Sequence, residues 1–261
     1  FFKVSVMPGP SNLLEDSNSV IIFFKDLTDI IKVQKLKSDF VANVSHELRT
    51  PLQSIKLGLE TINNGHAAKD LESQKKILPV VLQQTSRMEN IVNDLLSLSR
   101  IELQEHIRPN EKVNLNDIIS HSIELHQEIL KKNNIECQFE RESKNVKING
   151  DRNRLIEVFN NLIDNGIKYS EKNKKITITT KSENKNFLVT IKDQGIGISK
   201  ENIPQVTERF FRVDPAKSKE VGGTGLGLAI VKHIVNQHRA EMSISSEINK
   251  GTEISLNFPT I

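Results

Sequence analysis

Two consecutive stretches of helical periodicity set the strongest limit on how this chain folds. In the first, Leu36, Phe40, Val44, Leu48, Leu52, Ile55 and Leu59 recur every three or four residues. In the second, Ile77, Val81, Met88, Ile91, Leu95, Leu98 and Ile101 do the same. Asn63-Asn64-Gly65 closes the first stretch with a C-cap signal. Each stretch holds roughly 30 residues, so roughly 45 Å of helix. Joined by a short loop, Asn63–Lys69, they make an antiparallel hairpin. A single hairpin has an apolar stripe but no enclosed core. Pairing two copies into a four-helix bundle buries both stripes, so a homodimer is expected.

The flanks read differently. Phe1 to Val6 alternates, Pro8-Gly9-Pro10 breaks the pattern, and Val20 to Phe24 is a short apolar run ending at Asp26-Leu27-Thr28-Asp29, a helix-capping sequence. From about Val113 onward helices and strands mix. The expected helices are Leu115–Lys131, Asp151–Lys168 and Leu226–His238. The expected strands are Ile135–Phe139, Val146–Ile148, Ile176–Thr180, Phe187–Lys192, Met242–Ser246 and Thr252–Phe258, the last two joined by a hairpin at Asn249-Lys250-Gly251. The fold class is therefore α+β, a long helical hairpin followed by a two-layer α/β sandwich.

Composition excludes several functions. With 36 Lys and Arg against 33 Asp and Glu, and no basic stripe interleaved with aromatics, nucleic-acid binding is not expected. The lone Cys137 permits no intrachain disulfide, reads as a core residue on a strand, and points to a reducing compartment. No apolar run approaches the ~20 residues that span a bilayer. The start at Phe1-Phe2, without Met or a signal-peptide pattern, reads as a piece of a longer protein.

Four motifs carry chemistry. Ser45-His46-Glu47-Leu48-Arg49-Thr50-Pro51 sits on the first long helix, with His46 rotated away from the seam of Val44, Leu48 and Leu52. A neutral imidazole is a competent nucleophile near neutral pH. Glu47 can hold the proton on its other nitrogen. Thr50 lies one turn on, and Pro51 cannot donate to the Glu47 carbonyl, which builds in a bending point. Asp193-Gln194-Gly195-Ile196-Gly197 follows a strand, and a carboxylate there suits the exocyclic N–H of adenine and repels guanine. Gly222-Gly223-Thr224-Gly225-Leu226-Gly227-Leu228 runs into a helix N-terminus, a phosphate cradle that lacks the Lys-Ser/Thr of a Walker loop. On the helix of Asp151–Lys168, Glu157, Asn161, Asn165 and Lys168 share a polar face that offers amide oxygens to Mg²⁺ and a cation to phosphates. Between the second and third motifs, Glu208-Arg209-Phe210-Phe211-Arg212 and the polar stretch to Val221 suit a mobile lid. Taken one at a time most of these are weak signals. Asp-x-Gly-x-Gly is more often an ordinary turn, a polar helix face is usually a solvated one, and the glycines alone fit a flexible surface loop about as well.

In this order they resemble the histidine kinases of bacterial two-component systems. Phe40–Pro51 is similar to their phosphoacceptor box, Asn161–Ser170 to the N box, Asp193–Gly197 to the G1 box, Glu208–Arg212 to the F box and Gly223–Leu228 to the G2 box. The likeness runs from about Lys35 to the C-terminus, and the Asp-Leu-Thr-Asp ending resembles the last strands of a PAS sensor domain. The resemblance implies three regions: residues 1–31 the end of a PAS domain, 32–107 a dimerisation and phosphotransfer hairpin, and 108–261 a catalytic ATP-binding domain of the GHKL type.

It also implies roles. His46 takes the γ-phosphate of ATP with Glu47 as acid/base partner, and Thr50 positions water in a reverse phosphatase reaction. Asn165 binds Mg²⁺ with Asn161 and Glu157 beside it, Lys168 and Tyr169 line the nucleotide site, and Asp193 reads adenine with Gly195 and Gly197 nearby. Arg212, Gly223, Thr224, Gly225, Leu226, Gly227 and Leu228 border the nucleotide and its lid. The phosphoryl group then passes to an aspartate of a response-regulator receiver domain. The longer protein is expected to be anchored in the cell membrane, with this portion in the cytoplasm. Gly166 departs from the family pattern, where alanine is usual, at ~1 kcal/mol of helix stability. The rivals are an ATP-gated machine such as a chaperone or topoisomerase subunit, disfavoured by the His-Glu-x-x-Thr-Pro helix, and a nucleotide-sensing scaffold without kinase activity.

Overall fold

The computed structural model describes residues 1–8, 20–64, 70–143, 146–171, 173–214 and 222–261. The expected break at Pro8-Gly9-Pro10, the loop after Asn64 and the polar stretch to Val221 fall partly or wholly outside these residues. The chain divides into two compact units, Phe1–Gln53 and Ser54–Ile261.

In the first unit, β1 (Phe2–Pro8) and β2 (Val20–Asp26) pair antiparallel, Phe2 opposite Asp26. The Asp26 carboxylate accepts the Thr28 N–H at 2.8 Å, and helix α1 (Thr28–Asn64) starts at that cap. The apolar residues of this small sheet, Phe2, Phe23 and Phe24 among them, are exposed.

The second unit holds the rest of α1 and all of α2 (Leu71–Leu103). Asp70 caps α2 by accepting the Glu72 N–H at 3.1 Å. A Cβ on Gly58 would lie 2.7 Å from Val81 Cγ2, so the glycine lets this part of α1 press closely on α2.

After the hairpin come β3 (Lys112–Asn114), α3 (Leu115–Leu125), α4 (Gln127–Lys132), β4 (Glu136–Glu140) and β5 (Lys147–Asn149). They are followed by α5 (Arg152–Tyr169), β6 (Lys175–Glu183), β7 (Asn186–Lys192), α6 (Gly227–Gln237), β8 (Glu241–Glu247) and β9 (Gly251–Pro259). The main sheet has five strands in the order β4-β6-β7-β9-β8, with β4 parallel to β6 and the other neighbours antiparallel. β3 and β5 form a separate antiparallel pair.

Alternation does the layering. Ile176 and Ile178 of β6, Phe187, Val189 and Ile191 of β7, and Ile254, Leu256 and Phe258 of β9 are buried on one face, while their sequence neighbours are not. The apolar stripes of α3, α5 and α6 supply the other buried layer. This is the α+β sandwich that the periodicities predict. Cys137, expected in the core, sits half-buried on the edge strand β4, where burial pushes its thiol up to about 11.

Two details differ from expectation. The single helix predicted over Leu115–Lys131 is divided at His126, which has φ −99° and ψ 1° and bonds its Nδ1 to the Ser122 carbonyl at 2.8 Å. The stripe of α2 is also shared out: α2 packs against α6, and Ile91, Leu98 and Ile101 are fully buried within this unit.

Candidate functional site

Helix α5 organises the site. Asp151 caps it by accepting the N–H groups of Asn153 and Arg154 at 2.9 and 3.1 Å. Leu155, Phe159, Leu162 and Ile163 bury its apolar face, and the polar face turns Asn161, Asn165 and Lys168 onto a cavity of 330 Å³. Tyr169, Asp193, Gly197, Phe211, Arg212, Gly223, Thr224, Gly225, Gly227 and Leu228 line the same cavity. Residues far apart in the chain therefore share one concavity, with Ile191, Ile198, Val206 and Ile254 as its apolar floor.

At one end lies Asp193, just after β7. The N–H groups of Gly195 and Thr252 both donate to its Oδ1, at 2.8 and 3.1 Å, and neither bond uses Oδ2. Burial pushes this carboxyl above the usual range, while those two N–H groups pull the other way. A buried acceptor held in place by backbone is suited to read the N–H edge of a flat heterocycle.

At the other end the glycine-rich turn leads into α6. Leu226 at its N-cap is fully buried and offers no side-chain acceptor, so the first N–H groups of α6 are left for a ligand anion. Two glycines here are dictated by space. A Cβ on Gly227 would lie 2.6 Å from Asn161 Oδ1. Gly225, at φ 75°, accepts the Phe210 N–H at 2.7 Å, and a Cβ there would meet Phe210 Cα at 2.9 Å. Phe210 itself has φ 63°, a conformation that costs a non-glycine residue about 1 kcal/mol or more.

Asn161 donates its Nδ2 to the Glu157 carbonyl at 2.9 Å, which leaves its amide oxygen as the end presented. With Asn165 this makes a pair of neutral oxygen donors, the type a hard divalent cation takes alongside ligand phosphates. Lys168 Nζ pairs with Asp164 Oδ2 at 2.6 Å.

Three expected residues stand apart from the lining. Gly195 contributes its N–H to Asp193, and Leu226 is core. Glu157 is engaged with helix α2: it accepts the Ser97 hydroxyl and pairs with Arg154 Nη1 at 3.2 Å.

In the first unit, His46 is exposed on α1 and Glu47 is half-buried beside it. The Thr50 hydroxyl donates to the His46 carbonyl at 3.3 Å, and Pro51 lies inside the helix.

Residues 36–104 match the His Kinase A (phospho-acceptor) domain, and residues 150–261 match the histidine kinase-, DNA gyrase B- and HSP90-like ATPase. This chain belongs to the two-component sensor histidine kinases. It is 33% identical over 255 residues to the sensor-like histidine kinase SenX3 of Mycobacterium tuberculosis strain H37Rv, covering 97% of this chain and 62% of that protein. It is 36% identical over 243 residues to the sensor protein kinase WalK of Staphylococcus aureus, covering 92% of this chain and 57% of the relative. It thus spans less than two thirds of either curated relative. Among solved structures, the Acinetobacter baumannii histidine kinase AdeS superposes with a TM-score of 0.65 at 26% identity, over 82% of this chain and 97% of that one.

The histidine kinase cavity also contains residues that sequence reasoning missed. Asn90, Asn93 and Asp94 of α2 line it, and Thr224 donates its hydroxyl to Asp94 Oδ2 at 2.7 Å. Asp214 and Val213, beyond the Phe-Phe pair, line it as well. Polar residues on one face of a long helix read as solvated, so α2 carried no local signal. Among the described residues, no helix is long and apolar enough to cross a membrane.

Proposed function

We propose that this chain autophosphorylates His46 from ATP and passes the phosphoryl group to an aspartate of a response-regulator receiver domain. The observation that carries the reading is the gathering of Asn161, Asn165, Lys168, Asp193, Arg212, Gly223, Thr224, Gly225, Gly227 and Leu228 around one 330 Å³ cavity. In this scheme Asp193 accepts the exocyclic N–H of adenine, and Tyr169, Gly195 and Gly197 shape that end. Lys168, Arg212, Thr224 and the N–H groups opening α6 hold the phosphates. Asn165 and Asn161 hold Mg²⁺, which neutralises phosphate charge when bound; Glu157 stands next to them in the helix.

A neutral ring nitrogen of His46 attacks the γ-phosphorus in line. The N–P bond forms as the P–O bond to the β-phosphate breaks, ADP leaves, and Glu47 accepts the proton from the other ring nitrogen. In the reverse direction Thr50 orients water for hydrolysis of the phosphoaspartate on the regulator. The chain works as a homodimer through its hairpin. Residues 1–31 end a PAS sensor domain, 32–107 are the phosphotransfer hairpin and 108–261 the ATP-binding domain, all on the cytoplasmic side of a membrane-anchored whole.

Incubation with γ-labelled ATP tests this. Label that is acid-labile and base-stable, and absent from His46→Gln, is the expected outcome. ATP hydrolysis with no protein-bound label would sink the kinase reading.

A further inference from the structure

Helix α2 supplies one wall of the cavity through Asn90, Asn93 and Asp94. That wall is held firmly. Ile91, Leu98 and Ile101 are buried, and Arg209 pairs with Glu102. Arg154 Nη1 donates to Ser97 Oγ at 3.1 Å. Gln237 Nε2 donates to the carbonyls of Gln104 and Ile107 at 3.1 Å each, and Arg108 Nη1 donates to those of Asn236 and Gln237 at 2.8 and 3.0 Å.

Docking in this way puts one carboxylate, Asp94, against the glycine-rich turn. Its Oδ2 takes the Thr224 hydroxyl at 2.7 Å. Burial pushes the carboxyl up, while the Thr224 hydroxyl and the nearby Lys168 charge draw it down. Asp94 therefore occupies the donor of the turn and sits in the field of the cation that a phosphate would use. Asp164 and Glu157 add further negative charge near it. A partly buried anion is poorly screened, so a second anion arriving beside it is disfavoured in proportion to its charge.

We infer that Asp94 is a specificity-determining residue of the nucleotide site, a carboxylate that stands in for phosphate on Thr224 while α2 is docked and weighs against a triphosphate more than against a diphosphate. The inference rests on the cavity being the ATP site. ATP gains the Thr224 hydroxyl only by parting it from Asp94. Because coupling is reciprocal, triphosphate binding loosens the α2 docking by the same factor that docking weakens triphosphate. The contact thus ties occupancy of the site to release of the helix.

Calorimetric titration of the whole chain with ADP and with the β,γ-imido analogue of ATP tests it. Asp94→Asn keeps the shape and an acceptor for Thr224 but removes the charge, and Asp94→Ala removes both. Each is expected to raise the preference for triphosphate over ADP by about tenfold, the size of one screened like-charge contact at a partly buried site. An unchanged preference in both variants overturns the inference. Asp193→Asn, titrated alongside, is expected to weaken both nucleotides alike. If it weakens neither, the cavity is not the adenine-nucleotide site and the role of Asp94 falls with it.

Discussion

Gly166, the departure from the family pattern, faces a neighbour on the sheet at close range. A Cβ there would lie 3.0 Å from Ile176 Cδ1 and 3.8 Å from Asp193 Cβ. The close atom is the tip of a flexible side chain, which can yield by a few tenths of an ångström. Gly166→Ala therefore gains ~1 kcal/mol of helix propensity and loses part of it to the displaced isoleucine. The expected net effect is a stabilisation of less than ~1 kcal/mol, seen as a small rise in Tm. A fall in Tm would show that Ile176 cannot move. At this scale the sequence was informative wherever residue type implied chemistry. Asp193, Asn161, Asn165, Lys168 and the glycine turn were all named from spacing, and all but the buried Leu226 of the turn reach the cavity wall. Asp94 was not, because its partner Thr224 lies 130 residues away and no local pattern records such a pairing.

Among the elements, strands and long helices followed from periods of two and of three to four residues. The break at His126 did not. Its ring takes the Ser122 carbonyl and its N–H turns to Ile123 O at 3.0 Å, and no Gly or Pro marks the place. A second histidine links two elements of the site. His238, following α6, donates from Nδ1 to the Ile234 carbonyl at 2.7 Å and accepts the Asp151 N–H on Nε2 at 3.0 Å. The end of α6 thus steadies the capping residue of α5. Burial holds the His238 pKa below the ordinary histidine value, against the pull of Ile234 and Asp151. The unfolded chain gains a proton near pH 6.5 that the folded chain resists. The stability contribution is therefore complete above about pH 6.5 and is lost as pH falls toward the folded pKa. The expected NMR titration of the His238 ring has its midpoint below 6.5, and a midpoint at or above that value would contradict this account. His238→Phe leaves the Asp151 N–H unpaired, costs about 1–3 kcal/mol at neutral pH, and flattens the acid side of the Tm profile.

For the molecule as a whole, periodicity told that the hairpin stripes must be covered but not by what. Helix α2 has two apolar rows. Ile91, Leu98 and Ile101 are spent on the ATP-binding sandwich, whereas Leu78, Leu82, Val92, Leu96 and Leu103 stay exposed at heptad-like intervals. The exposed row fits a second copy of the hairpin. Leu82→Asp with Leu96→Asp is expected to sediment as a monomer that still binds nucleotide, and a persistent dimer would place the interface elsewhere. The ATP-binding sandwich has a different kind of independence. Phe210 and Gly225 are fastened backbone to backbone, so the residues between them begin and end at one point of the fold. Closing a loop whose ends are already together costs entropy that grows only with the logarithm of its length, about 0.6 kcal/mol per doubling. The stretch joining them can therefore change in length at little cost to the stability of the sandwich, while Arg212, Gly223 and Thr224 near its two ends keep their places on the cavity wall.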